Sequence, residues 1–142
     1  MDNIKQYFLG DHFAAHCGIS LESVSPGKAV ASMVVEEKHL NALGIAQGGA
    51  VFTLADFAFA AASNSHGEIA VAVNVSISFL KAARPGRLRA EAREISRNRK
   101  LASYVVEVKD VENDLVAHFQ GMVYRKGQAV PGATTPVSDS GG

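Results

Sequence analysis

Between positions 50 and 62 the chain reads Ala-Val-Phe-Thr-Leu-Ala-Asp-Phe-Ala-Phe-Ala-Ala-Ala, apolar apart from Thr53 and Asp56. Alanine and leucine are strong helix formers. A helix that is apolar on nearly every side has no face to give to water, so it belongs inside the molecule. The run is too short to cross a bilayer, which takes about 20 apolar residues, and Asp56 interrupts it. Gly48-Gly49 opens the segment and Asn64-Ser65-His66-Gly67 supplies a stop. The rest of the chain must therefore form a layer able to enclose a helix.

The flanking segments read as that layer. Strands are expected at 19–24 and 28–35, with Ser25-Pro26-Gly27 turning between them. Residues 36–47 are irregular, with Asn41 and Gly44 as breakers. Residues 69–80 place Val71, Val73, Val75, Ile77 and Phe79 at every second position, a period-two stripe. Pro85-Gly86 breaks the chain, residues 88–95 and 101–110 alternate again, and a turn at 111–114 leads to a last strand at 115–125. Ahead of all these, residues 4–17 read as a short amphipathic helix running into a loop, with Ile4, Phe8 and Leu9 on one face. One buried helix and about six strands predict an α+β fold, a curved antiparallel sheet wrapped around the helix. A length of 142 residues suits one domain. The domain is expected at 1–126, and the Gly-, Pro-, Ser- and Thr-rich stretch 127–142 as a disordered tail.

Asp56 is the most informative residue. It lies among Leu54, Ala55, Phe57 and Phe59, where an ionised carboxylate is unfavourable unless paired or hydrogen-bonded. Desolvation there raises a carboxyl pKa, a common means of tuning a general base. The competing reading is a carboxylate at a subunit seam or tied to an arginine. Gly48 and Gly49 allow close approach of backbone to a ligand. The first N–H groups of a helix have no intrahelical acceptor and carry partial positive charge. They suit the oxyanion of an attacked carbonyl; the bland alternative is that the glycines only permit tight packing. Gly49 and Asp56 are seven residues apart, on one helical face but about 10 Å apart along the axis. A reacting carbonyl needs both partners within about 3 Å. One helix cannot serve both roles, whereas two antiparallel helices across a dimer can. The expectation is that Asp56 of one subunit works with Gly49 of its neighbour.

The stretch Asn41-Ala42-Leu43-Gly44-Ile45-Ala46-Gln47-Gly48-Gly49, followed by Thr53-Leu54-Ala55-Asp56, resembles the hotdog thioesterases of the PaaI type, which act in phenylacetic acid degradation. The wider group includes 4-hydroxybenzoyl-CoA thioesterases. Asn64-Ser65 at the helix end, and Phe79-Leu80 ahead of Pro85-Gly86, extend a likeness that covers most of the chain. The resemblance implies a hotdog fold and hydrolysis of an acyl-CoA to free acid and coenzyme A. It implies a homodimer or homotetramer, and no cofactor beyond the coenzyme A of the substrate. By position it implies Asp56 as general base or nucleophile, Gly48 and Gly49 as the oxyanion region, and Asn41 and Gln47 beside the thioester. Gln47 stands where the family usually has His. Its amide can donate a hydrogen bond but cannot shuttle a proton. Phe52, Thr53 and Phe57, with Phe59, are the helix residues expected at the substrate. An aryl or medium-chain acyl group suits such walls, although the same aromatics also suit a core.

Basic side chains concentrate between Lys81 and Lys100. Arg84, Arg87, Arg97, Arg99 and Lys100 lie near strand ends and are expected to meet coenzyme A phosphates; the competing reading is solvated strand edges that oppose aggregation. Fourteen basic and fourteen acidic residues cancel, so no overall field favours nucleic acid or an anionic membrane. The single cysteine, Cys17, excludes an intramolecular disulfide and suits a cytoplasmic protein. No spacing among the five histidines resembles a zinc site, so no metal is expected. Two other readings stand beside hydrolysis. One is a non-catalytic acyl-CoA-binding hotdog module. The other is a hotdog hydratase or dehydratase, against which Gln47 argues because such enzymes need a His near the helix start.

Overall fold

Six antiparallel strands enclose one long helix. The computed structural model describes residues 1–132, and the expected tail beyond them lies outside the described residues. In chain order the elements are α1 (Asp2–Phe8), α2 (His12–His16), β1 (Ile19–Ser25), β2 (Lys28–Val35), α3 (Gly48–Ser63), β3 (Glu68–Phe79), β4 (Gly86–Arg97), β5 (Leu101–Lys109) and β6 (Leu115–Ala129). The sheet order is β1-β2-β4-β5-β6-β3. Leu54, Ala55, Ala58, Ala61 and Ala62 of α3 have no exposed surface. Their small side chains let the sheet come close. Gly121 on β6 has the same purpose from the other side, since a Cβ there would stand 2.6 Å from the Phe59 ring. This is the expected α+β hotdog arrangement.

α3 is not buried all round, however. Gly49, Thr53, Asp56 and Ala60 form an exposed to half-buried stripe along its length, spaced as one helical face.

Three other expectations need correction. The N-terminal segment forms two helices rather than one. The chain breaks at Gly10, and Asp11 restarts it by accepting from the Ala14 N–H at 3.0 Å, an ordinary N-cap. Ile4 is buried, but Leu9 is 71% exposed and shares no face with it. The β3 stripe is also split. Ala70, Val75 and Ile77 pack against the core, while Val71 and Val73 are exposed. The register slips between Ala72 and Asn74, and such a bulge exchanges which residues face inward. Finally, β6 runs to Ala129, past the expected domain end at 126. Val130 donates to the Gly67 carbonyl at 2.8 Å, so backbone pairing holds a segment whose composition suggested a tail.

The far end of the sheet is fastened by a buried ion pair. Arg125 Nη2 lies 2.7 Å from Glu68 Oε1, and the other Glu68 oxygen accepts from the Gly127 N–H. His39 is structural too. Its Nδ1 accepts from the Glu36 N–H and its Nε2 donates to the Cys17 carbonyl at 2.7 Å, which joins the α2 end to the loop before α3.

Candidate active site

The start of α3 is built from backbone hydrogen bonds. Ala46 donates to the Ala83 carbonyl at 2.7 Å and Gln47 to the His39 carbonyl at 2.8 Å, which ties the loop to the β3–β4 connection and to the turn before it. Gln47 is the N-cap, and its Oε1 accepts from the Gly49 N–H at 2.5 Å. Gly49 is therefore not the open donor that the sequence suggested. The Gly48 N–H, at the first helical position, has no acceptor among the described residues. Gly48 lines a cavity of about 350 Å³ together with Asn41, Ile45, Val51 and Phe79. Asn41 Oδ1 accepts from the Leu43 and Ile45 N–H groups at 2.9 and 3.4 Å, closing its own loop. That leaves the Nδ2 end of Asn41 without a partner among the described residues.

Asp56 lies two turns further along α3. It is half-buried, and no hydrogen bond or ion pair reaches its carboxylate among the described residues. Burial holds its pKa above the ordinary carboxylate range, and the neighbouring charge of Asp11 adds to the rise. The expected structural alternative, an arginine partner, is not present among the described residues. Beside Asp56, Phe57 forms one wall of a cavity of about 470 Å³ with Phe8, Asp11, Ala14, Ile19 and Leu21. The Phe8 and Phe57 rings meet edge to face at 5.7 Å.

The other expected residues divide. Thr53 donates through Oγ1 to the Gly49 carbonyl at 2.7 Å, so it braces the helix start. Phe57 lines the larger cavity. Phe59 packs on Tyr104 at 5.8 Å within the core, and the partly buried Phe52 packs on Phe119 at 5.7 Å. The basic residues do not form one cluster. Arg84 and Arg87 lie beside the start of β4 and Arg97, Arg99 and Lys100 at its other end, about 36 Å away at 3.3 Å per residue. Arg87 already donates to Ser32 Oγ at 3.0 Å, and Lys100 lies over the Tyr124 ring. Lys81 is held by Asp110 and Asp114 at 2.8 and 2.7 Å. Phe8 and Asp11 were missed in the sequence. An Asp directly before His-Phe-Ala-Ala was a readable N-cap signal, but its nearness to Asp56 is tertiary.

Among the described residues no group of three His, Cys, Asp or Glu side chains is placed to hold a metal ion. No helix among the described residues is long and apolar enough to cross a membrane.

Known proteins share this fold. The family model described as the thioesterase superfamily matches residues 43–117. The acyl-coenzyme A thioesterase PaaI of Escherichia coli is 34% identical over 131 residues, which cover 92% of this chain and 94% of that protein. The solved structure of E. coli PaaI superposes with a TM-score of 0.87 over 90% of this chain and 94% of that one. A structure from Thermus thermophilus, 40% identical, gives a TM-score of 0.77 over 80% of this chain and 97% of that chain. The matched residues include the α3 start, Asp56 and the strands around them, so this chain belongs to the thioesterase superfamily and is one of its hotdog enzymes.

Proposed function

We propose that the protein hydrolyses an acyl-CoA to a free carboxylic acid and coenzyme A, with Asp56 as general base and the Gly48 N–H as oxyanion donor. The observation that carries this reading is the unpartnered, half-buried carboxylate of Asp56, its pKa raised by burial. A carboxylate without a structural partner is free to take a proton from water, and a raised pKa makes it a better base. Water then attacks the thioester carbonyl, and the oxyanion is held by the backbone donor at the positive end of α3. Collapse breaks the carbon–sulfur bond, and the proton on Asp56 passes to the departing thiolate.

The two groups belong to different protomers in this reading. Within one chain they are separated by eight residues of α3, about 12 Å at 1.5 Å per residue. β3 is an edge strand with Val71, Val73 and Phe79 exposed, an apolar edge suited to pairing with a second copy. Pairing β3 with its copy sets the two α3 helices antiparallel, which brings the start of one toward the middle of the other. The cavity between Phe8 and Phe57 suits an aryl or medium-chain acyl group. Lys81 lines the cavity at the α3 start, although Asp110 and Asp114 hold it, and Arg97, Arg99 and Lys100 would reach a coenzyme only from the partner.

A thiol-release assay across aryl- and medium-chain acyl-CoAs tests the reading. Wild type is expected to release coenzyme A, and Asp56→Asn to lose at least about 100-fold in kcat. Tight binding of acyl-CoA without thiol release would instead indicate the binding module.

A further inference from the structure

We propose that Phe8 is the specificity-determining residue for the acyl group, because its ring walls off the cavity beside Asp56 from a second cavity and so limits how long an acyl chain the site accepts. This inference rests on the thioesterase reading of Asp56 and Gly48. The first cavity, about 470 Å³, takes Phe57 from α3 and draws its other walls from residues 2–21. Phe57 is the chain neighbour of Asp56, so an acyl group whose carbonyl lies at Asp56 extends into this space. The second cavity, about 350 Å³, is lined by Tyr7, Phe8, Gly10 and Asp11. Phe8 and Asp11 are the residues common to both. The Phe8 ring also touches an aromatic ring of each. It meets Phe57 of the first cavity edge to face at 5.7 Å and Tyr7 of the second edge to face at 5.3 Å.

An apolar chain that passes Phe57 has few directions in which to grow. Ala14 and Ile19 belong to the buried core, and a close-packed core does not yield. Asp2, Lys5 and Gln6 make a polar, exposed stretch of the rim, where a methylene gains little by burial. Of the two residues on the boundary, Asp11 is a carboxylate pinned by its bond to the Ala14 N–H. Phe8 is the apolar one, and it is half-buried. The rest of α1 is anchored without it. Ile4 is 1% exposed, and Lys5 Nζ donates to the Glu22 carbonyl at 3.1 Å. The β1 register shifts between Leu21 and Ser23, which leaves Glu22 outside the regular ladder. The Phe8 ring can therefore be altered while the helix stays in place.

A ladder of straight-chain acyl-CoAs reads the wall directly, since each methylene that gains apolar surroundings is worth about fourfold in kcat/KM. Phe8→Leu keeps an apolar contact and removes the ring. It is expected to favour chains about two carbons longer than the wild-type optimum by about tenfold relative to that optimum. Phe8→Trp enlarges the wall and is expected to shift the profile the other way, with the longest chains losing about tenfold. A loosened α1 would not give opposite signs. Tyr7→Trp fills the second cavity. It is expected to change the wild-type profile less than about twofold and to cancel the gain of Phe8→Leu, because only in that background does the chain reach it. Unchanged profiles in both Phe8 variants, shifts of the same sign in both, or equal effects of Tyr7→Trp in the two backgrounds overturn the proposal. A wild type that binds the ladder but releases no thiol overturns the hydrolysis reading alone, and the same shifts then decide the role of Phe8 as changes in Kd. A wild type that neither binds nor hydrolyses any chain overturns both.

Discussion

Asp56 carries its charge where burial resists it, and a second carboxylate, Asp11, stands close enough to add to the effect. In the proposed mechanism the unprotonated form is the base, so kcat/KM should rise with pH through the Asp56 pKa of the free enzyme. That limb should lie above the ordinary aspartate value of about 3.9. Asp11→Asn removes the like charge while keeping an oxygen to cap the Ala14 N–H. The limb should then move to lower pH but stay above the ordinary value, because burial, the larger cause, remains; a pH profile of kcat/KM that does not move would exclude Asp11 as a tuning group. The same shift has a consequence for stability. A carboxyl whose pKa is raised by folding binds its proton more tightly in the folded state. The penalty is absent below the unfolded pKa and complete above the folded one. Asp56→Asn should therefore raise the thermal midpoint at pH 7, and the gain should fade as pH drops into the ordinary carboxylate range. Asp56 was legible in the sequence because a lone acid in an apolar run has few explanations. Asp11 and the capping bond of Gln47 were not, since both depend on where side chains point after folding.

At the scale of elements, the closeness of α3 to the sheet rests on small residues facing large ones. Gly121→Ala would drive a methyl group to within 2.6 Å of the Phe59 ring. Phe59 is 1% exposed and wedged against Tyr104 and Phe119, so it has nowhere to retreat. Overpacking of this kind costs about 1–3 kcal/mol, and urea unfolding should show a lower midpoint with an unchanged slope. Gly121 lies in a strand that reads well from its alternation, yet nothing local says that a phenyl ring covers it. The same limit applies elsewhere. All six strands and α3 were legible, because period-two and all-round apolar patterns are properties of the segment itself. The split of the β3 stripe was not, because a bulge is set by the register against β6. The separation of Arg84 and Arg87 from Arg97, Arg99 and Lys100 was also hidden. Residues close in sequence lie at opposite ends of β4 when the strand between them is fully extended.

At the scale of the whole molecule, a single protomer leaves two things unfinished. β3 ends the sheet with Val73 and Phe79 each 55% exposed, and the proposed base and oxyanion donor sit more than two helical turns apart on α3. The proposed two-fold axis beside β3 would address both, because it would pair the bare edge and give each α3 start the middle of the other helix. The axis also makes a quantitative test. Gly48→Pro removes the open N–H at the first helical position, the place where proline is best tolerated, and Asp56→Ala removes the base. Each homodimer should be inactive. In a mixed dimer one site takes Asp56 from the Gly48→Pro chain and Gly48 from the Asp56→Ala chain, and is intact, while the other site lacks both groups. Random pairing of equal amounts gives half mixed dimers, each with one working site of two, so thiol release should recover to about a quarter of the wild-type rate. Co-expression with two different tags allows the mixed species to be purified, and it should reach about half the wild-type rate on the same symmetry argument. A site contained within one protomer predicts no recovery in either preparation, because each chain then carries its own defect.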